Sequence, residues 1–225
     1  MKEERERAPA ASDLGDRRPS GLILAGGCSS RMGEAKQLLP LAGRPLLAAV
    51  VDAAAGACLD EVVVVLGHRA GDIAAALALG PTGRVRWVEN QDWASGMASS
   101  LRCGLTALGQ EAAAAAVLLG DQVGLRPQFI DLVVGAYLAQ ERPAARPVYR
   151  ATGAERQPGH PVILARKLWP DVCRLQGESG ARELLALHPE WLCEVEVAGP
   201  AAADIDTPED LRRAAAAGLG WLGRA

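Results

Sequence analysis

Apolar residues fall in short continuous runs separated by longer mixed stretches. Leu22–Ala25 stops at Gly26-Gly27, Glu61–Leu66 is nearly all valine, and Arg84–Val88 and Ala115–Leu119 follow, the last running into Gly120-Asp121. Runs of this length bounded by turn residues are the pattern of strands buried on both faces. Between them, Pro45–Gly56, Asp72–Leu79, Ala94–Leu108 and Pro127–Ala139 read as helices, the first with proline in its opening turn. Strand–helix alternation predicts the α/β class, with a mostly parallel sheet covered on both faces. Ligands of such sheets bind beyond the carboxyl ends of the strands. That rule places Gly26-Gly27 and Asp121 at one site.

The second half is less regular. Pro147–Arg150 and Pro161–Leu164 read as short strands around a polar loop, 151–159. Lys167–Cys173 and Ala181–Leu187 read as helical, and Trp191–Val197 alternates like an edge strand. Thr207–Ala217 is a helix with Asp206 or Thr207 as cap, Pro208 at its opening, and Glu209-Asp210 at the positive end of its dipole. No internal repeat is visible, and the alanine runs read as packing.

At 225 residues the chain suits a single domain, 21–225, after a leader, 1–20, that mixes both charges with Pro and Ser and lacks the apolar core of a signal peptide. A net charge of −3 gives no basic field for nucleic acid, and 4% aromatic residues argue against a base-stacking platform for strands. Five widely spaced cysteines form no C-x-x-C pair, which indicates neither a disulfide framework nor a zinc site and fits a reducing, cytoplasmic compartment. No run is long enough to span a membrane.

The candidate chemistry begins at Gly26. Two glycines, then Cys28, Ser29 and Ser30, then Arg31 and Lys36 around Gly33, make a loop whose amides and cations suit a phosphate. It is neither Walker A, because Met32 and Glu34 stand where Gly and Lys are needed, nor the G-x-G-x-x-G dinucleotide fingerprint. The missing fingerprint disfavours a dinucleotide-dependent oxidoreductase. Asp121, where an apolar strand meets a carboxylate, is either a turn cap or a Mg²⁺ ligand. Asp204 and Asp206 supply a second pair of candidates, on one face if the segment is extended, with Asp206 alternatively a helix cap. Of the three histidines, His68 and His188 read as structural, whereas His160 lies between Gly159 and Pro161 after a polar loop.

These residues resemble a known family. Leu24-Ala25-Gly26-Gly27 with Arg31, Met32, Gly33 and Lys36 is similar to the signature loop of the MobA/MocA-like nucleotidyltransferases. Gly96–Leu105, Leu119–Gln122, Gly159–Val162, Gly177–Arg182 and Asp204–Leu211 resemble that family's later motifs, in its order. The resemblance runs from Gly21 to about Ala214. It implies a three-layer α/β/α, nucleotide-diphospho-sugar transferase-like (Rossmann-like) fold. It also implies transfer of a nucleoside monophosphate from an NTP to a phosphorylated acceptor, dependent on Mg²⁺ or Mn²⁺. In the branch most similar to this chain the acceptor is molybdopterin, with a molybdoenzyme apoprotein as a possible further partner.

Carried over by residue, the resemblance implies that Leu24, Ala25, Gly26, Gly27, Ser29, Ser30, Asn90, Ser99 and Ser100 meet the nucleotide. Arg31 and Lys36 meet its triphosphate, and with Asp121 they form the catalytic set. Asp121 and Asp206 hold the metal, and His160 and Arg182 face the acceptor. Val123 departs from the usual Pro. The Gly-Gly loop is guanylyl-like while the remainder is cytidylyl-like, and Gly26 is expected to leave one methyl group more room beside the base than Ala would. The expected nucleotide is CTP. The alternatives are a GTP-dependent guanylyltransferase and a non-catalytic nucleotide-binding or chaperone module for a molybdoenzyme.

Overall fold

A computed structural model of the chain describes residues 18–27, 34–150, 156–199 and 201–219. In chain order its elements are β1 (Ser20–Ala25), β2 (Pro40–Leu41), β3 (Arg44–Pro45), α1 (Leu46–Gly56), β4 (Val62–Leu66), α2 (Ala70–Ala76), β5 (Val85–Glu89), α3 (Met97–Ala107), β6 (Ala114–Leu119), β7 (Gln122–Val123), α4 (Pro127–Leu138), β8 (Ala144–Arg150), β9 (Gln157–Pro158), β10 (Val162–Ala165), α5 (Trp169–Val172), α6 (Ala181–Leu187), β11 (Leu192–Ala198), β12 (Ala203–Asp204) and α7 (Pro208–Ala216).

The main sheet has the order β11-β8-β10-β6-β1-β4-β5. Its pairs are parallel except those of β10, which runs antiparallel to both β6 and β8, and that of the short β9, which lies off this path and pairs antiparallel with β8. The alternation of side chains along each strand divides the core in two. Ile23, Val62, Val64, Leu66, Ala116 and Leu118 face a cluster with α1, α2 and α4. Leu22, Leu24, Val63, Val65, Ala115 and Val117 face a second cluster with α3, α5 and α6. This is the expected α/β/α sandwich. Each fully buried Val or Leu contributes roughly 1.5–3 kcal/mol of apolar burial, and all five residues of β4 are fully buried. No helix among the described residues is long and apolar enough to cross a membrane.

Several boundaries differ from the pattern-based expectation. Ser20 belongs to β1, paired with Ala115 and 1% exposed, and not to the leader. The helix expected at Asp72–Leu79 starts two residues earlier and stops at Ala76, and Ala78 follows in the left-handed region. The helix expected over Ala94–Leu108 is broken: Trp93–Ser95 is a 3-10 turn, and α3 begins only after Gly96. Gly96 has φ +105°, and a Cβ there would stand 2.4 Å from the Gly177 backbone, so no other residue fits without displacing that loop. Lys167–Cys173 likewise splits into a 3-10 turn and the four-residue α5. Trp191 ends a 3-10 turn before β11, which does lie at the sheet edge. Two small antiparallel pairs, β2–β3 and β7–β12, have no pattern long enough to be read from the chain.

Candidate active site

Because β6, β1, β4 and β5 are parallel, their carboxyl ends meet along one edge. Gly26-Gly27, Gly67-His68, Asn90 and Gly120-Asp121 all follow those strands directly. Gly120 N–H donates to Leu24 O at 2.8 Å, which holds the start of the Asp121 turn against the end of β1. Antiparallel β10 starts at the same edge, so His160 arrives beside Asp121 from the opposite chain direction. The β7–β12 pair then brings in the last segment. Asp204 pairs with Gln122, and Ile205 N–H donates to Asp121 O at 3.2 Å.

Three charged side chains converge there. Lys36 Nζ donates to Asp121 Oδ2 at 2.6 Å and to Asp206 Oδ1 at 3.0 Å. Burial disfavours the lysine's charge, but the two carboxylates outweigh it and hold its pKa above the usual lysine value. Asp121 Oδ1 is buried without a hydrogen-bond partner among the described residues. Asp204 does not join the cluster. Its Oδ1 accepts from Gln122 Nε2 at 2.9 Å, and its pKa is raised, mainly by burial, with the Asp121 and Asp206 charges adding to it. Asp206 is free of the capping role because Thr207 takes it: Thr207 Oγ1 accepts from Asp210 N–H at 3.2 Å.

His160 Nδ1 is also buried without a hydrogen-bond partner among the described residues. Burial pushes its pKa down to about 4, partly opposed by the Asp121 charge, so the ring is neutral at pH 7. Tyr149 Oη donates to its carbonyl at 3.1 Å. Arg182, by contrast, is exposed on α6 and forms no ion pair or hydrogen bond among the described residues, so its expected place on the acceptor side gains no contact. Ser29, Ser30 and Arg31 lie outside the described residues.

The nucleotide candidates divide into backbone and network. The side chains of Leu24 and Ala25 are buried in the two cores, so only their backbone reaches the edge. Buried Asn90 donates to Ser99 Oγ at 2.8 Å and to Ser100 Oγ at 3.1 Å, and Ser99 Oγ donates in turn to Asp92 O and Gly96 O. Ser99 therefore fixes the turn before α3 and has no free face. Ser100 reaches the loop: a Cβ on Gly26 would stand 2.9 Å from Ser100 Oγ, whereas one on Gly27 would meet nothing within 4 Å among the described residues. The side of Gly26 that a Cβ would occupy is therefore the side that faces Ser100. The missing methyl group would point at Ser100, not into open space. Gln37, adjacent to Lys36 and unmarked in the chain, is 3% exposed and donates to Ala25 O at 2.9 Å and to Gly27 O at 3.1 Å, clamping the glycine turn.

Two distant motifs meet at α3. Ala98 N–H donates to Gly177 O at 3.0 Å, and Glu178 Oε2 accepts from Met97 N–H at 3.4 Å, so the 177–180 loop covers the start of that helix. Arg102 reaches the carbonyls of Cys173 and Leu175, which ties α3 to the end of α5.

The chain is similar to several characterised proteins. Nicotine blue oxidoreductase of Paenarthrobacter nicotinovorans is 36% identical over 209 residues, covering 86% of this chain and 95% of its own. Molybdenum cofactor cytidylyltransferase of Escherichia coli K12 is 25% identical over 189 residues, covering 84% and 91%. Among solved structures, Rv0371c of Mycobacterium tuberculosis H37Rv superposes with a TM-score of 0.76 at 30% identity, over 88% of this chain and 98% of that one. The same protein in complex with manganese gives 0.71 at 30%, over 87% and 97%. The model of the MobA-like NTP transferase domain matches residues 21–192. With its sheet order, its glycine turn and its strand-end carboxylates, the chain belongs to the MobA-like NTP transferase family and is a nucleotidyltransferase.

Proposed function

We propose that the protein transfers a nucleoside monophosphate, CMP by preference, from an NTP to a phosphorylated acceptor of the molybdopterin type, releasing pyrophosphate with the help of Mg²⁺ or Mn²⁺. The observation that carries this reading is the ammonium of Lys36 held between Asp121 and Asp206 at the strand edge. Two carboxylates that converge on one cation, one with a buried oxygen that has no partner among the described residues, are an all-oxygen donor set. Mg²⁺ is ordinarily bound by one or two carboxylates together with substrate phosphates. Asp121 and Asp206 would hold the ion, which, when bound, neutralises charge on the reacting phosphates.

The remaining work belongs to the chain. Gly26 and Gly27 offer backbone to the nucleotide, with Gln37 fixing their turn. Lys36, with Arg31, meets the triphosphate. Asn90 and Ser100 shape the wall beside the loop. His160 stays neutral and faces an anionic acceptor as a hydrogen-bonding group, with Arg182 further out on α6. The attacking phosphate oxygen is already ionised, so positioning and charge neutralisation are enough and no activated nucleophile is needed. The preference for CTP is supported by the cytidylyltransferase relative. A cytoplasmic location fits the free cysteines Cys58, Cys103, Cys173 and Cys193.

A second reading is favoured by one finding: a chain 36% identical to this one bears an oxidoreductase's name. A missing dinucleotide fingerprint therefore does not exclude redox chemistry on this scaffold. One experiment separates the readings. Pyrophosphate release is measured with each of the four NTPs, with and without molybdopterin and Mg²⁺ or Mn²⁺, alongside reduction of nicotine blue by NADH or NADPH. Pyrophosphate release that depends on CTP, acceptor and metal, nearly abolished in Asp121→Asn with an unchanged melting temperature, is the expected result. Asp121→Asn turnover within a few-fold of the parent, or redox activity alone, removes the assignment. GTP used at least tenfold better than CTP removes the nucleotide preference only.

A further inference from the structure

On the β4–β5 side of Gly26, away from the carboxylates, stand two aromatic rings. His68 stands just past β4, after Gly67, and its backbone N–H donates to Gly26 O at 3.3 Å. Trp93 opens the 3-10 turn after β5, held by hydrogen bonds from Ser95 N–H to Asp92 O at 3.0 Å and from Gly96 N–H to Trp93 O at 3.3 Å. The rings meet edge to face, 5.2 Å between centroids and 61° apart, the arrangement their quadrupoles favour. Both are only partly buried. The seat is tight: a Cβ on Gly67 would stand 2.5 Å from both Trp93 Cβ and Gly26 O. The indole is therefore rooted on bare backbone, in contact with the same residue that touches the glycine turn.

In a chain with 4% aromatic residues, this pair at the strand edge has no core to fill. Trp169 lies in the core with its indole N–H bonded to Leu164 O, and Trp191 stacks on His188 at the surface. β1 and its glycine turn lie between the aromatic pair and the Lys36–Asp121–Asp206 cluster in sheet order. A ligand with phosphates at the carboxylates that crosses the turn reaches the rings with its other end.

We propose that His68 and Trp93 form the platform for the planar ring of the nucleotide, with Trp93 the residue that sets how strongly the ring is held. This rests on the nucleotidyltransferase reading above and adds a determinant to it. Stacking is tolerant of ring identity but scales with ring area and overlap, so the platform sets how strongly each base is held, while Asn90, Ser100 and the loop backbone read its edge.

The test uses the full chain and two kinds of probe. Binding of each NTP is measured by calorimetry with Mg²⁺ for the parent, Trp93→Ala, Trp93→Phe and His68→Ala, and inorganic tripolyphosphate, which has no base, is titrated in parallel. Trp93→Ala is expected to weaken all four nucleotides, the best of them about tenfold, with tripolyphosphate affinity unchanged. Trp93→Phe should retain most of the affinity, and His68→Ala should lose less than Trp93→Ala. Unchanged nucleotide affinity in Trp93→Ala overturns the platform and leaves nucleotidyl transfer standing. Equal loss of nucleotide and tripolyphosphate binding also overturns it, because the turn, not the ring, is then what matters. If Trp93→Ala melts below the assay temperature, Trp93→Leu answers the same question with more packing volume. A parent that binds tripolyphosphate but no NTP refutes the transferase reading and the platform together.

Discussion

Ser100 Oγ lies 2.9 Å from where a Cβ on Gly26 would stand, and it accepts a hydrogen bond from Asn90 at 3.1 Å. A methyl group there must displace the hydroxyl. Gly26→Ala is therefore expected to cost about 1 kcal/mol, the scale of one buried hydrogen bond, and to slow NTP use without changing base preference. Ser100→Ala in the same chain removes the obstacle and should restore part of both losses. Urea midpoints and NTP kinetics for the two single variants and the double variant check this. A stable Gly26→Ala that merely discriminates better between CTP and GTP would show that the methyl group lies toward the base after all. Lys36 is a similar case. In the chain it is a cation after a phosphate-type loop, and in the fold it joins two carboxylates from segments 85 and 170 residues away.

Short elements carry the geometry that long ones only support. β12 and α7 deliver Asp206, and the junction between them is fixed by the Thr207 cap. Thr207 N–H and Oγ1–H both donate to Asp210 Oδ2, at 2.8 and 2.7 Å, in a reciprocal capping box. Thr207→Ala should cost about 1 kcal/mol of stability. It should also weaken Mn²⁺ binding several-fold, because Asp206 is the residue just before the cap and its own N–H donates to Asp210 Oδ2 at 3.2 Å. Denaturant melts and Mn²⁺ titration by electron paramagnetic resonance measure the two effects. Lower stability with unaltered Mn²⁺ affinity would separate the cap from the site. The packing of Gly177 on Gly96 has the same logic: two loops define where α3 starts, and no helical periodicity encodes that contact.

At the scale of the whole molecule, His160 ties stability to pH. Burial holds its pKa down to about 4, against an unfolded value of about 6.5. Above pH 6.5 the ring is neutral in both states and carries no penalty. Between 6.5 and 4 the unfolded chain takes up a proton that the folded chain refuses, so stability falls as pH falls, by at most about 3 kcal/mol. Below 4 the loss levels off. The urea midpoint should therefore drop less between pH 7 and pH 4.5 in His160→Asn than in the parent, and equal drops would place the imidazole in water.

The chain's apolar runs determined the class of fold. Residues such as Val62–Leu66 can satisfy both faces only inside a covered parallel sheet, and that sheet aligns the ends of its strands. Gly26-Gly27, Lys36 and Asp121 were legible for that reason: their types are local and the strand-end rule gathers them. What the linear pattern cannot contain is contact at long range without periodicity. A two-residue pairing of Gln122-Val123 with Ala203-Asp204 sends Asp206 to Lys36 and keeps Asp204 away from it. Gln37 holds the turn from a side chain that carries no motif, and the space beside Gly26 is filled by a serine 74 positions later in the numbering. His68, which read as structural, stands with Trp93 beside the glycine turn because β4 and β5 end where β1 does. Tertiary structure decided these points because each depends on which surfaces exclude one another in space, a condition that neither hydrophobicity nor spacing along the chain expresses.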